Sequence, residues 1–156
     1  MPVEQVGTEV AQEECKEEAV SPIGDFIALV GGFAAVVFAA AIKWYTPSTL
    51  AAARGGKALK GVNAGNPVGV ICFIVGAAVF IFAAFMLMGR FINPSFRLVR
   101  SPGWAYALGS AVIFMACIVG LALPPNIMNL QAGVSAGVVV ELFAGAAIAV
   151  GGLLKF

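Results

Sequence analysis

One carboxylic acid in a long apolar stretch has the most evident chemistry in this sequence. Glu141 lies within LQAGVSAGVVVELFAGAAIAVGGLL, residues 130–154. An acid at the centre of a membrane helix costs about 2.5–3.5 kcal/mol on insertion scales. We therefore expect one of three arrangements. Glu141 is protonated and hydrogen-bonded to a neighbouring helix, pairs with a cation from another subunit, or binds protons or sodium ions reversibly.

The smallest side chains of this stretch share a helix face with the acid. Gly133, Gly137, Glu141 and Gly145 follow one another at intervals of four, which places them in one row of an α-helix. Rows of small residues let membrane helices approach one another closely, so Glu141 is predicted to face protein and not lipid. Similar packing faces are predicted in the other apolar stretches, at Gly31, Ala35, Gly76, Gly109 and Gly120.

Catalytic chemistry has little support elsewhere in the sequence. There is no histidine, which removes the commonest general base and metal ligand. The three cysteines, Cys15, Cys72 and Cys117, are odd in number and form no CxxC pair. Two of them lie in apolar stretches, so neither a zinc site nor a disulfide framework is expected. The sequence predicts a protein that is not an enzyme, with no catalytic residue, metal or cofactor.

The composition of the 156-residue chain is that of a membrane protein, with 61% hydrophobic and only 11% charged residues. A hydrocarbon core about 30 Å thick requires a helix of about 20 apolar residues. The sequence therefore predicts an all-α, multi-pass membrane protein whose helices pack through Ala/Gly faces. A net charge of +1 gives no reason to expect nucleic acid as a partner. Four runs qualify as transmembrane helices, at about 25–42, 68–88, 104–123 and 133–154.

Residues 1–20 form a separate acidic segment, with six glutamates and a single lysine. Signal and transit peptides need a basic start, so we expect the first apolar run to be retained as a helix. This composition is typical of a solvated arm outside the membrane. A docking segment for a basic partner surface is the alternative.

Basic residues cluster on both sides of the second predicted helix, and they are expected to contact lipid headgroups or an acidic partner surface. Trp44 and Tyr45 end the first helix and are predicted to lie at the membrane interface. Lys and Arg are too evenly divided between the two sides to fix the orientation of the helices. The basic residues concerned are Arg54, Lys57, Lys60, Arg90, Arg97 and Arg100.

Glu141 and the LFAGAAIAVGGLL that follows it resemble the ion-carrying helix of a known family. This family is the duplicated proteolipid that forms the rotor ring of vacuolar-type ATPases, and the chain is similar to it in length and number of spans. The first and third spans lack that family's glycine-dense runs. The resemblance implies a small oligomeric translocator of ions or solutes, with Glu141 as the ion-binding carboxylate.

The residues themselves favour a different function. The sequence contains no recognisable set of catalytic residues, and all four predicted helices have a face of small residues. The chain is therefore predicted to be a non-catalytic accessory subunit. Its partners would be the lipid bilayer and other membrane-protein subunits in a hetero-oligomer. It would dock into the larger complex and stabilise it through these faces and through Glu141.

Overall fold

Four long apolar helices make up most of the structure. The computed structural model describes residues 21–63, 65–93, 96, 98–99 and 101–156. Four of the five helices in this part are long and apolar enough to cross a membrane, which confirms the predicted four and is typical of a multi-pass membrane protein. The acidic tail lies outside the described residues. The helices are α1 (Ile23–Ala41), α2 (Thr49–Ala53), α3 (Pro67–Ile92), α4 (Gly103–Ala122) and α5 (Ala136–Leu153).

Helix α3 is longer than its predicted span. It begins at Pro67, where a missing N–H group is tolerated, and the side chain of Asn66 accepts a hydrogen bond from the Gly69 N–H at 3.2 Å. The helix continues to Ile92, four residues beyond the predicted end at 88. No stop signal occurs before Asn93, which is extended because the residue that follows it in the sequence is a proline.

Short strands close one end of the bundle, a feature that the hydrophobic pattern did not indicate. Strand β1 (Lys43–Thr46) lies between β2 (Leu59–Lys60) and β5 (Gly133–Val134) in an antiparallel sheet. A separate hairpin pairs β3 (Asn126–Ile127) with β4 (Leu130–Gln131). We call this end of the bundle the sheet end, and the opposite end, which contains Asp25, the Asp25 end.

The glycine row of the fourth helix is shorter than predicted. Helix α5 begins at Ala136, three residues after the predicted start at 133. Gly133 belongs instead to β5, where it is exposed and pairs with Thr46 of β1. Pairing with a distant strand therefore overrides the helical spacing at this position, and Gly133 is not part of a helix-packing face.

The four long helices form a square in which consecutive long helices run in opposite directions. Helix α1 packs against α3 and α5, and α4 packs against the same two helices. The contact between α3 and α4 is the least extensive of the four. This up-and-down arrangement brings the start of α1 and the ends of α3 and α5 to the Asp25 end.

Two adjacent glycines let α1 approach both of its neighbours. A Cβ atom on Gly31 would lie 2.9 Å from the backbone nitrogen of Ile148 in α5, and one on Gly32 would lie 2.8 Å from that of Phe80 in α3. Consecutive residues of a helix point about 100° apart, which suits a helix at a corner of the square. The other small positions singled out in the sequence also meet elements of the same chain: Ala35 and Gly76 meet each other, Gly109 meets Val79, Gly120 meets Tyr45, Gly137 meets Trp44, and Gly145 meets Ile113.

A larger side chain at Gly32 is expected to destabilise the bundle. Gly32→Val would force the backbones of α1 and α3 apart, at a cost of about 1–3 kcal/mol, because overpacked contacts with backbone atoms cannot relax by rotating a side chain. The melting temperature of the purified protein in mild detergent should fall. Gly65→Ala is the control, since a Cβ there would meet only a Leu59 methyl group at 3.9 Å. Equal melting temperatures for the two variants would contradict this packing.

Candidate functional site

The side chain of Glu141 is fully buried inside the bundle. Glu141 is the sixth residue of α5 and therefore lies nearer to the sheet end than to the Asp25 end. Among the described residues, neither of its carboxyl oxygens has a hydrogen-bond partner. A buried carboxyl group in this condition is tolerated when it is protonated or neutralised by a bound cation. The group is sheltered by its own chain and not by a second subunit.

Two cysteines from α3 and α4 lie near Glu141, and a tyrosine of β1 lies near the two cysteines. Cys72 of α3 and Cys117 of α4 are fully buried and lie close enough to interact with each other and with Glu141. Tyr45 of β1 reaches under the sheet and donates a hydrogen bond to the Gly120 carbonyl of α4 at 3.0 Å. Burial, with a smaller contribution from the two thiols, raises the pKa of Tyr45, so its hydroxyl stays a neutral donor.

Trp44 and Tyr45 are fully buried, whereas the sequence predicted them at the membrane interface. Strand β1 is the central strand of its sheet, and it turns these two side chains inward while both of its end residues stay exposed. The Trp44 ring packs on Gly137, where a Cβ atom would lie 2.6 Å from Trp44 Cδ1. Gly137 is one helical turn before Glu141. Trp44 therefore covers the interior of the bundle on the side of the sheet, one helical turn from the acid.

The opposite end of the bundle contains a buried ion cluster that was not predicted. Asp25, in the first turn of α1, pairs with the Lys155 ammonium at 2.8 Å and with the Arg90 guanidinium at 3.3 Å. It also accepts a hydrogen bond from the Tyr106 hydroxyl at 2.8 Å. Arg90 and Tyr106 belong to α3 and α4, and Lys155 follows the end of α5. One carboxylate thus joins all four long helices.

This cluster contains two cations and one anion, and the C-terminal ends of two helices stabilise the extra positive charge. Arg90 is in the last turn of α3 and Lys155 follows α5, and the C-terminal ends of helices favour positive charge. The Lys155 ammonium also donates a hydrogen bond to the Ser21 carbonyl at 2.5 Å. Burial lowers the pKa of Lys155, although its hydrogen bond and ion pair with Asp25 act in the opposite direction.

The sequence did contain a signal for the cluster. Met86 is on the buried face of α3, and Arg90 follows it on the same face after one more turn. In an up-and-down bundle, the first turn of the first helix meets the ends of the second and the fourth. Asp25, Arg90 and Lys155 therefore had to lie at one end. The sequence instead predicted that Arg90 contacts lipid headgroups or an acidic partner surface, because the second helix was predicted to end at 88.

The remaining basic residues are divided between exposed positions and the undescribed part of the chain. Arg54, Lys57 and Lys60 are exposed at the sheet end, where contact with lipid headgroups is open to them. Arg97 and Arg100 lie outside the described residues, so their prediction stays a prediction. In the described part of the chain, no group of three or more His, Cys, Asp or Glu is arranged to hold a metal ion.

No protein-family model, curated protein or solved structure matches this chain. The resemblance of the fourth helix to the rotor-ring proteolipids therefore depends on Glu141 and the residues after it alone. Inferences about function depend on the chemistry of the two buried clusters and on the outer surface of the bundle.

Loss of the Asp25 charge is expected to destabilise the protein strongly. Asp25→Asn leaves two buried cations without their anion, and removal of one partner from a buried ion pair typically costs about 3–5 kcal/mol. The free energy of unfolding can be measured by SDS titration in mixed micelles. Arg54→Gln, at an exposed position, is the control and should have little effect. The double variant Asp25→Asn/Lys155→Met should lose less than the sum of its single changes, and strict additivity would contradict the pairing.

Proposed function

We propose that this protein is a non-catalytic accessory subunit that docks into a larger integral membrane complex and stabilises it. The observation that carries the proposal is an apolar groove on the outer surface between α3 and α4. It has a volume of about 490 Å³ towards the sheet end and about 310 Å³ towards the Asp25 end. Both parts share Leu108 and Val112, so they form one continuous groove.

A transmembrane helix of a partner subunit is the occupant that fits this groove. Along α3 the groove extends from Val68 to Phe82, which corresponds to about 21 Å at 1.5 Å per residue. This length is most of the hydrocarbon thickness of about 30 Å. Small residues in the lining favour close approach of a helix backbone, as in other membrane helix pairs. The small lining residues are Ala78, Ala105, Gly109, Ala111 and Ala116.

The proposed docking surface differs from the one expected from the sequence. Glu141 has no exposed surface, and the glycines predicted to form docking faces meet helices or strands of the same chain. Of these glycines, Gly109 also lines the groove. In this proposal the Ala/Gly faces hold the bundle itself together, and the groove between α3 and α4 binds the partner. The exposed basic residues at the sheet end offer a second contact, with an acidic partner surface or with headgroups.

The separation of the two buried acids supports a non-catalytic function. Asp25 lies beside the end of α5, whereas Glu141 is ten residues before Gly151, which is about 15 Å along the helix axis. Acid–base catalysis by paired carboxyl groups needs them on either side of one substrate bond. Asp25 is also fully engaged with Arg90, Lys155 and Tyr106.

Filling the groove should release the partner subunit. Ala111→Phe places a ring in the groove, and Val30→Phe places the same ring on the outer face of α1 as the control. Purification in mild detergent from the native membrane should recover the partner with wild type and Val30→Phe, and recover it at least several-fold less with Ala111→Phe. The proposal fails if the wild-type protein emerges alone, or if both variants retain the partner equally.

A translocator of protons or sodium ions is a second candidate, and the unpartnered oxygens of Glu141 favour it. Ionisable residues inside membrane helices commonly mark ion pathways. In this case Glu141 would bind the ion within a single bundle, beneath Trp44 and Tyr45, and not at an interface between subunits. Opening of the sheet would then be needed to admit the ion.

Glu141→Leu tests this second candidate. In a translocator, the change abolishes uptake of protons or sodium ions into vesicles that contain the purified protein. The melting temperature stays equal or rises, because an apolar side chain of similar size removes two unpaired oxygens. Val139→Leu, on the exposed face of α5, is the control and should retain full uptake. Uptake at background level with the wild-type protein excludes this function.

A further inference from the structure

Two buried cysteines from neighbouring helices face each other, and neither candidate function uses them. Cys72 and Cys117 are both free thiols without exposed surface. The two thiols lie close enough to interact electrostatically across the α3–α4 interface. Two neighbouring thiols are the starting arrangement for a disulfide bond.

The register of the two helices places the cysteines at the same level independently. A Cβ atom on Gly120 would lie 3.2 Å from Val68 Cγ1, and one on Gly109 would lie 2.7 Å from Val79 Cγ2. Between these two contacts the antiparallel helices advance by eleven residues each. Cys72 lies four residues after Val68 in α3. It is therefore level with a position about four residues before Gly120 in α4, which is close to Cys117.

The usual spacing of packed helices is compatible with a bond between them. Disulfides join Cα atoms that are about 4.4–6.8 Å apart. Helix axes about 8–10 Å apart, with Cα atoms about 2.3 Å from each axis, bring facing Cα atoms to about that separation. The α3–α4 contact is also the least extensive in the bundle, so it can adjust to the bond with little loss of packing elsewhere.

The cysteines lie directly behind the apolar groove. Ile71 and Ala116, which immediately precede Cys72 and Cys117, line its wall. The groove has an apolar lining and, where no partner helix occupies it, is open on its outer side to the acyl chains. Lipid-soluble oxidants therefore have a shorter path to the thiols than aqueous ones, which would have to pass the sheet or the ion cluster.

We propose that Cys72 and Cys117 are a redox-active pair that forms a reversible disulfide by reducing a lipid-soluble quinone. Both S–H bonds break and one S–S bond forms. The two electrons and two protons pass to the two carbonyl oxygens of the quinone, which becomes a hydroquinone. A dithiol reductant reverses the bond by exchange. The disulfide would fix α3 against α4 immediately behind the groove.

The test uses the full chain with Cys15→Ser, so that no other thiol is present. The protein is reduced, reconstituted in nanodiscs and exposed to duroquinone, whose fully substituted ring does not readily add thiols. It is then unfolded in SDS and alkylated with a maleimide. We expect loss of both reactive thiols, a mass decrease of two hydrogen atoms, and recovery with dithiothreitol.

Single variants and a water-soluble oxidant complete the test. Cys72→Ser and Cys117→Ser, each in the Cys15→Ser background, should keep their remaining thiol through the duroquinone treatment. The proposal is overturned if the Cys15→Ser protein keeps both thiols, or if the single variants lose theirs at the same rate. Oxidation by tetrathionate, an anion that does not enter the membrane, without any oxidation by duroquinone would also overturn it, because the thiols would then be reached from water.

Discussion

A polar group inside this bundle depends on the rest of the chain for hydrogen bonds and ion pairs. The carboxylate of Asp25 is the clearest case. Its carboxylate is bound by an ammonium, a guanidinium and a phenolic hydroxyl, each from a different helix or the residues after it. Ion pairs of this kind demand good geometry, since desolvation opposes them. They therefore fix the height of each helix relative to the others. The level at which Cys72 meets Cys117, and at which both meet Glu141, follows from that register.

The two buried acids illustrate opposite solutions to the same physical problem. Asp25 has its charge balanced and its oxygens engaged, and it stabilises the fold. Glu141 lies among thiols and aromatic rings, with neither oxygen bonded to a described residue. A group that adds no evident stability, yet occupies the interior of a tightly packed bundle, is a reason to look for function there. The two cysteines beside it strengthen this reason.

Local patterns in the sequence were sufficient for the long helices but not for what joins them. Apolar runs of membrane-spanning length identified the four helices, because each signal lies within one segment. Strands β1 and β5 have only two to four residues and depend on pairing between positions about 90 residues apart. No local pattern indicates such a pairing. The sequence therefore predicted a helical position for Gly133 and a position at the membrane interface for Trp44. The Asp25 cluster was missed for a related reason. Its members were judged as separate helix ends, although the up-and-down connection had already brought Asp25, Arg90 and Lys155 together.

The pairing of β1 with β5 has a consequence for how the protein is made. A strand that follows the first helix can complete its sheet only after the segment before the last helix has been synthesised. Until then, Trp44 cannot pack against Gly137, and the sheet does not yet cover the interior of the bundle. During biogenesis the polar interior is thus sealed late, when α5 enters the membrane and brings Glu141 with it. Water has access to this region before that moment, and afterwards the sheet covers it on that side.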